Sequence, residues 1–226
     1  MWSSSTIRSD NRPPGPLPAR GEGVGAGTIG ILGGTFDPVH NGHVAAARQL
    51  LGIADLDQVW LIPNATPPHR TAAPVAPVQD RMRMVELAVA GHAGLVPSHL
   101  EVDRGGVSYT IDTVRELARD YPRQRFVLLI GSDAALQIRS WHEADALLDT
   151  ASFVIFNRPD TALAPQTLHE LGFAPARSRI VHLDTPAIAA HQVRDRLARG
   201  APIDDLVPAA VADYIRMHEL YRANAG

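Results

Sequence analysis

Gly33-Gly34-Thr35-Phe36-Asp37-Pro38-Val39-His40-Asn41-Gly42-His43 lies between a short apolar run, Thr28-Ile29-Gly30-Ile31-Leu32, and a helical pattern over residues 44–51. The order predicts a strand, a glycine turn and a helix. Glycines let a backbone come close to phosphate. A helix start presents unpaired N–H groups and the positive end of its dipole. His40 and His43, at that mouth, supply protons or hydrogen bonds where phosphate charge gathers. The stretch therefore reads as a site for a nucleoside triphosphate. It is neither the phosphate loop G-x-x-x-x-G-K-[ST] nor the dinucleotide turn G-x-G-x-x-G. The loop has no lysine, which argues against a P-loop enzyme. A zinc site is disfavoured because no third ligand stands near the two histidines in sequence.

Outward from this turn, apolar strands alternate with amphipathic helices. The first helix is expected over residues 42–53, with Val44, Ala47, Leu50 and Leu51 on one side. Residues 59–62 read as a buried strand, and residues 63–77 as a proline-rich loop facing substrate. A helix follows over 79–90, then short strand candidates at 95–96 and 100–102. A helix over 110–121 points Ile111, Val114, Leu117, Ala118 and Tyr121 inward. The run 126–130 is the clearest buried strand, and it enters Gly131-Ser132-Asp133. A short helix at 144–148, strands at 153–156 and 180–183, and helices near 190–199 and 209–220 complete the pattern. Continuous apolar strands between amphipathic helices predict an α/β fold, a Rossmann-like parallel sheet with helices on both faces and a small helical C-terminal part. Ligands of such sheets sit at the carboxyl ends of the strands, where the turn at 33–43, the loop at 67–70, Gly131–Asp133 and residues 157–159 all fall.

Composition narrows the classes. The chain has 226 residues, 45% of them hydrophobic and 20% charged, which is ordinary for a globular protein. A net charge of −3 argues against nucleic acid as a partner. There is no cysteine, so disulfides, thiol catalysis and thiolate metal sites are absent together. No apolar run reaches membrane-spanning length, so no membrane partner is expected. Residues 1–27, rich in Ser, Pro, Gly and Arg, read as a flexible extension without the apolar segment of an export signal. Residues 28–226 read as a single domain, and the location as cytoplasmic. Oligomeric state is left open, a homo-oligomer included.

Two further constellations carry chemistry. Trp141 offers a flat face for stacking a pyridinium ring by cation–π attraction, or serves as a core aromatic at a helix start. Ser108-Tyr109-Thr110 opens a helix whose N–H groups suit a carboxylate, or simply caps it. Ser132 or Asp133 equally suits a helix cap. Arg70 and Arg158, in loops on the same edge, grip phosphates or are merely solvated. Asp37 has a plainer role, fixing the turn by accepting backbone hydrogen bonds. His92, His99, His142 and His169 have no constellation around them.

The stretch from Gly33 to His43, with its H-x-G-H element, resembles the signature of the nucleotidylyltransferase superfamily, and the wider pattern is similar to bacterial nicotinate-nucleotide adenylyltransferases. Supporting matches, in order, are Pro67-Pro68-His69-Arg70, Ser108-Tyr109-Thr110-Ile111-Asp112-Thr113, Gly131-Ser132-Asp133, Ser140-Trp141 and Arg158-Pro159. The resemblance runs from about Ile29 to Tyr221. It implies a nucleotidylyltransferase-type fold and transfer of the adenylyl group of ATP to nicotinate mononucleotide, with magnesium carried by the phosphates and no metal ligands from the protein. By the same resemblance the catalytic residues are His40 and His43. ATP would touch Gly33, Gly34, Thr35, Phe36, His40, His43, Gly131 and Asp133. The mononucleotide would touch Tyr109, Thr110, Trp141, Asp133, Arg158 and Arg70. Tyr109 and Thr110 would recognise its carboxylate. One stretch departs. Relatives carry a pattern like I-S-S-T-x-I-R, and here it reads Ile188-Ala189-Ala190-His191-Gln192-Val193-Arg194, so the hydroxyls expected on the triphosphate are missing. Arg194 remains and His191 stands in as a donor. The competing readings are the same chemistry on nicotinamide mononucleotide, pantetheine phosphate or a small phosphoalcohol with CTP, and a nucleotide-binding regulator without turnover. Class I aminoacyl-tRNA synthetases share a similar histidine pair, but this chain is too short and too weakly basic for one.

Overall fold

The apolar runs at 29–32 and 126–130 have too little polar surface to face water, and they become the middle of a sheet covered on both sides. The computed structural model describes residues 27–68, 74–157 and 163–222. Its six strands are β1 (Thr28–Gly34), β2 (Gln58–Pro63), β3 (Leu95–Pro97), β4 (Arg125–Gly131), β5 (Ser152–Asn157) and β6 (Ser178–His182). They form one sheet in the order β3-β2-β1-β4-β5-β6, with every pair parallel. The helices are α1 (Asn41–Ile53), α2 (Val78–Val89), α3 (Leu100–Arg104), α4 (Thr110–Asp120), α5 (Ser132–Leu136), α6 (Ala144–Thr150), α7 (Pro165–Glu170), α8 (Ala190–Ala198) and α9 (Ala209–Met217), with one 3₁₀ turn at Ile138–Ser140. Among the described residues no helix is long and apolar enough to cross a membrane.

The two-residue period of the strands sorts the core into two layers. Val59 and Leu61 of β2 join a cluster with Leu50 of α1, Val85 of α2, Val193 of α8 and Ile215 of α9. Trp60 and Ile62, their neighbours in sequence, point the other way and pack with Ile111 and Leu117 of α4 and Leu147 of α6. The helical C-terminal part therefore closes the first face.

Some elements differ from the sequence reading. Residues 100–102, expected as a strand, belong to helix α3. Pro97 ends the short edge strand, and the backbone N–H of Asp103 bonds to the His99 carbonyl in helical register. Ala118, expected inward on α4, is exposed, and Thr113 is buried instead, because the inner face of α4 carries a polar cluster. Helices α5 and α7 had no periodic signal over their five and six residues. Of the expected flexible extension, residues 1–26 lie outside the described residues, and Gly27 is hydrogen-bonded to Gln124 and Arg125 beside β4.

Candidate active site

β1 leads through α1 to β2 on one side, while β4 leads through α5 to β5 on the other. The crevice between β1 and β4 is thus the point where the strand order reverses. A cleft of about 650 Å³ opens there, at the carboxyl ends of the strands. Gly33, Gly34, His40, His43 and Asn64 line one half. Gly131, Asp133, Tyr109, Thr110, Trp141 and His142 line the other, and residues 185–189 form a further wall.

The glycine turn is shaped by what lies beneath it. Phe36 adopts φ +49°, a left-handed conformation uncommon outside glycine, and is 3% exposed. Its ring lies against Gly34, so a Cβ there would stand 3.1 Å from Cζ. A Cβ on Gly33 would meet nothing within 4 Å, so that side of the backbone is open to a ligand. Neither Thr35 nor Phe36 lines the cleft with its side chain. The Thr35 carbonyl accepts from the buried guanidinium of Arg81 at 2.7 Å, and the same guanidinium also holds the carbonyls of Asn64 and Ala65. Arg81, read from sequence only as part of a helix, is what locks the turn to the loop after β2.

Asp37 fixes the turn from farther away than expected. Its carboxylate accepts the N–H groups of Val75 at 2.8 Å and Ala76 at 3.1 Å, and the hydroxyl of Tyr221 at 2.8 Å. Burial and the adjacent Asp37 push the Tyr221 hydroxyl far above its ordinary range, so it stays protonated. The Arg194 guanidinium donates to the Asp37 carbonyl at 2.6 Å and braces the turn from behind the cleft.

At the mouth of α1 the two imidazoles stack, with ring centres 3.6 Å apart, and the Phe36 ring meets His43 edge-on at 5.0 Å. His40 is 4% exposed. Its backbone N–H donates to Nδ1 of His43 at 3.3 Å. An accepting Nδ1 leaves Nε2 as the protonated nitrogen, so His43 is a neutral N–H donor while that bond holds. Among the described residues no three His, Cys, Asp or Glu side chains gather to hold a metal ion.

On the opposite wall, Tyr109 occupies the N-cap of α4 with no side-chain cap bond. The Ser108 hydroxyl accepts from Ala65 N–H at 3.0 Å, so it does not cap the helix. Trp141 is half-buried, packed on the second core layer and open to the cleft. Gly131, and not Ser132 or Asp133, is the N-cap of α5, and Asp133 reaches the cleft from the first turn.

The chain matches the cytidylyltransferase-like family model over residues 31–196. A relative from Symbiobacterium thermophilum, named as a probable nicotinate-nucleotide adenylyltransferase, is 41% identical over 85% of this chain and 94% of its own. One of the same name from Geobacillus kaustophilus is 37% identical over 88% of each. This chain belongs to the nicotinate-nucleotide adenylyltransferase family. The solved structure of Plasmodium falciparum nicotinic acid mononucleotide adenylyltransferase complexed with NaAD superposes with a TM-score of 0.73 over 86% of this chain and 97% of that one, and at 19% identity it shows a shared fold.

Within this adenylyltransferase fold, most of the expected residues converge. His40, His43, Gly33, Gly34, Gly131, Asp133, Tyr109, Thr110 and Trp141 share the one cleft. His191 does not line it. At the departing stretch it is Ala189 and Gln192 that do, with the Gln192 carboxamide accepting Ala189 N–H at 2.9 Å. Arg70 and Arg158 lie outside the described residues. His142, given no role from sequence, stacks on Tyr109 with ring centres 4.1 Å apart inside the cleft. Its only sequence signal is its place beside Trp141. Glu101 also lines the cleft, and nothing in the run Leu100-Glu101-Val102 marks it.

Proposed function

We propose that this chain transfers the adenylyl group of ATP to nicotinate mononucleotide, forming nicotinate adenine dinucleotide and pyrophosphate. The observation that carries the reading is the pair of stacked imidazoles at the start of α1, in one cleft with Trp141 and the first turn of α4. ATP enters as its magnesium complex, with the ion on the phosphates as part of the substrate. A phosphate oxygen of the mononucleotide attacks the α-phosphorus, a new P–O bond forms, and the bond to pyrophosphate breaks. That oxygen is already anionic near neutral pH, so the step needs no strong base. The work of the protein is positioning and charge stabilisation. The open backbone at Gly33 and the N–H groups of α1 receive the phosphates. The Nε2–H of His43 donates to the α-phosphate as charge builds there, and His40 stacks behind it. Trp141 stacks the pyridine ring, and the uncapped N–H groups at Tyr109 and Thr110 take its carboxylate. Asp133, in the half of the cleft that holds Tyr109 and Trp141, receives ribose hydroxyls.

The test is pyrophosphate release from ATP, magnesium and each acceptor in turn: nicotinate mononucleotide, nicotinamide mononucleotide and pantetheine phosphate. The expected result is turnover with the first and weaker turnover with the amide. No release with nicotinate mononucleotide would contradict the reading.

A further inference from the structure

Glu101 is a buried carboxyl in the cleft wall for which adenylyl transfer, as described, has no use. It is 7% exposed and lines the cleft beside Tyr109, Thr110 and Thr113. Its Oε1 accepts the Thr113 hydroxyl at 2.6 Å, and the Ser108 hydroxyl bonds to it as well. Ser108 and Thr113 flank the turn that carries Tyr109 and Thr110, so the carboxyl is pinned to the same turn that takes the pyridine carboxylate.

The counter-ion nearest Glu101 is shared with other groups. Arg104, on the same helix, stands 3.9 Å away. Its guanidinium is committed to Glu116 of α4 and to the Thr113 hydroxyl, each at 2.9 Å. Glu116 adds negative charge of its own. From α2, Glu86 is taken by Arg83 and His99 at the outer end of α3. Asp133 and His142 line the same half of the cleft as Tyr109, and His40 and His43 line the other. Burial makes Glu101 hold its proton above the ordinary carboxylate range, against the opposing pull of the two hydroxyls and Arg104.

An ionised carboxyl at this place repels an incoming carboxylate, whereas a neutral one donates to it. A carboxamide makes no such demand. We propose that Glu101 selects the acid over the amide: when the carboxylate of the mononucleotide enters, Glu101 takes a proton from solvent, and the O–H so formed donates to the substrate. The inference rests on nicotinate mononucleotide being the acceptor. It adds that binding the acid is coupled to proton uptake and binding the amide is not.

Calorimetric titration of the full chain with each mononucleotide, near neutral pH in two buffers of different ionisation enthalpy, counts the protons. Both ligands carry the same phosphate, whose own titration cancels in the comparison. Nicotinate mononucleotide should take up about one proton more than nicotinamide mononucleotide, and Glu101→Gln should erase the difference while both still bind. Equal uptake in the wild type, or a difference that survives in Glu101→Gln, would overturn the role of Glu101 and leave the adenylyl transfer standing. Should the variant fail to fold, the wild type alone decides. Its preference for acid over amide should fall about tenfold per pH unit wherever the free protein has released the Glu101 proton and the complex still holds it. A preference flat into the alkaline range would overturn the proposal. Failure of both mononucleotides to bind would overturn this role and the proposed function together.

Discussion

His43 is fixed on three sides: by the stacked ring of His40, by the edge of Phe36, and by the His40 backbone N–H on its Nδ1. In the proposed reaction a donor held this way would need no reorganisation as charge grows on the α-phosphate, which is what makes a single hydrogen bond worth so much in a reacting site. His43→Ala should lower kcat about 10²–10³-fold with the fold intact by circular dichroism. A kcat near that of the wild type would remove His43 from the chemistry. Glu101 makes a second prediction, on stability. Its raised folded pKa means that the native state keeps a proton that the unfolded chain has already released. Stability must therefore fall as pH climbs from the ordinary carboxylate range through the raised value, and stay lower above it. Glu101→Gln cannot titrate, so its urea midpoint should gain on the wild type across that window. Parallel curves would contradict the burial penalty. Neither residue was equally legible: His43 stands in a motif, whereas Glu101 acquires its meaning only when α4 folds over it.

Helix α1 begins where the cleft begins, and Gly42 keeps its first turn narrow. A Cβ there would stand 3.1 Å from His40 Nδ1 and 3.2 Å from the carbonyl of Pro186, a backbone atom with little room to move. Gly42→Ala should favour the helix by about 1 kcal/mol through propensity. It should nonetheless lower kcat at least about tenfold, by displacing His40 from a geometry that tolerates little error. Unchanged turnover would show that the ring relocates without consequence. The sheet was readable at this scale because a central parallel strand is an unbroken apolar run with a turn at its end, as in Phe126-Val127-Leu128-Leu129-Ile130-Gly131. Short elements were not. α3 looked like a strand because the alternation Leu100-Glu101-Val102 fits period two over so few residues, and its buried Glu reflects a polar cluster with Thr113. Membership of the cleft was legible where the residue type suggests chemistry, as at His40, His43 and Trp141. A role was not legible where a residue acts through tertiary contact, as with Arg81 on the carbonyls of Thr35, Asn64, Ala65 and Ala76 and with His142 on Tyr109. Arg194 was expected at the triphosphate and braces the Asp37 carbonyl, because α8 presents Ala189 and Gln192 to the cleft.

Across the whole molecule, segments far apart in sequence meet at Asp37: the loop at 74–76, α8 through Arg194, and the end of the described chain through Tyr221. The C-terminal part therefore holds the glycine turn in place rather than merely covering the sheet. Tyr221→Phe removes one donor from a carboxylate that is 1% exposed, and should cost about 1–3 kcal/mol in urea unfolding. No loss would mean that the remaining donors satisfy Asp37 by themselves. The proposed reaction likewise depends on the whole fold: the reversal of strand order between β1 and β4 opens the single cleft in which two nucleotides would meet, their phosphates at the imidazoles. A crystal structure of the chain with nicotinate adenine dinucleotide tests it most directly. The pyrophosphate should lie at the start of α1 within hydrogen-bond reach of His43, and the pyridine between Trp141 and the first turn of α4. A dinucleotide whose phosphates lie away from both histidines would contradict it.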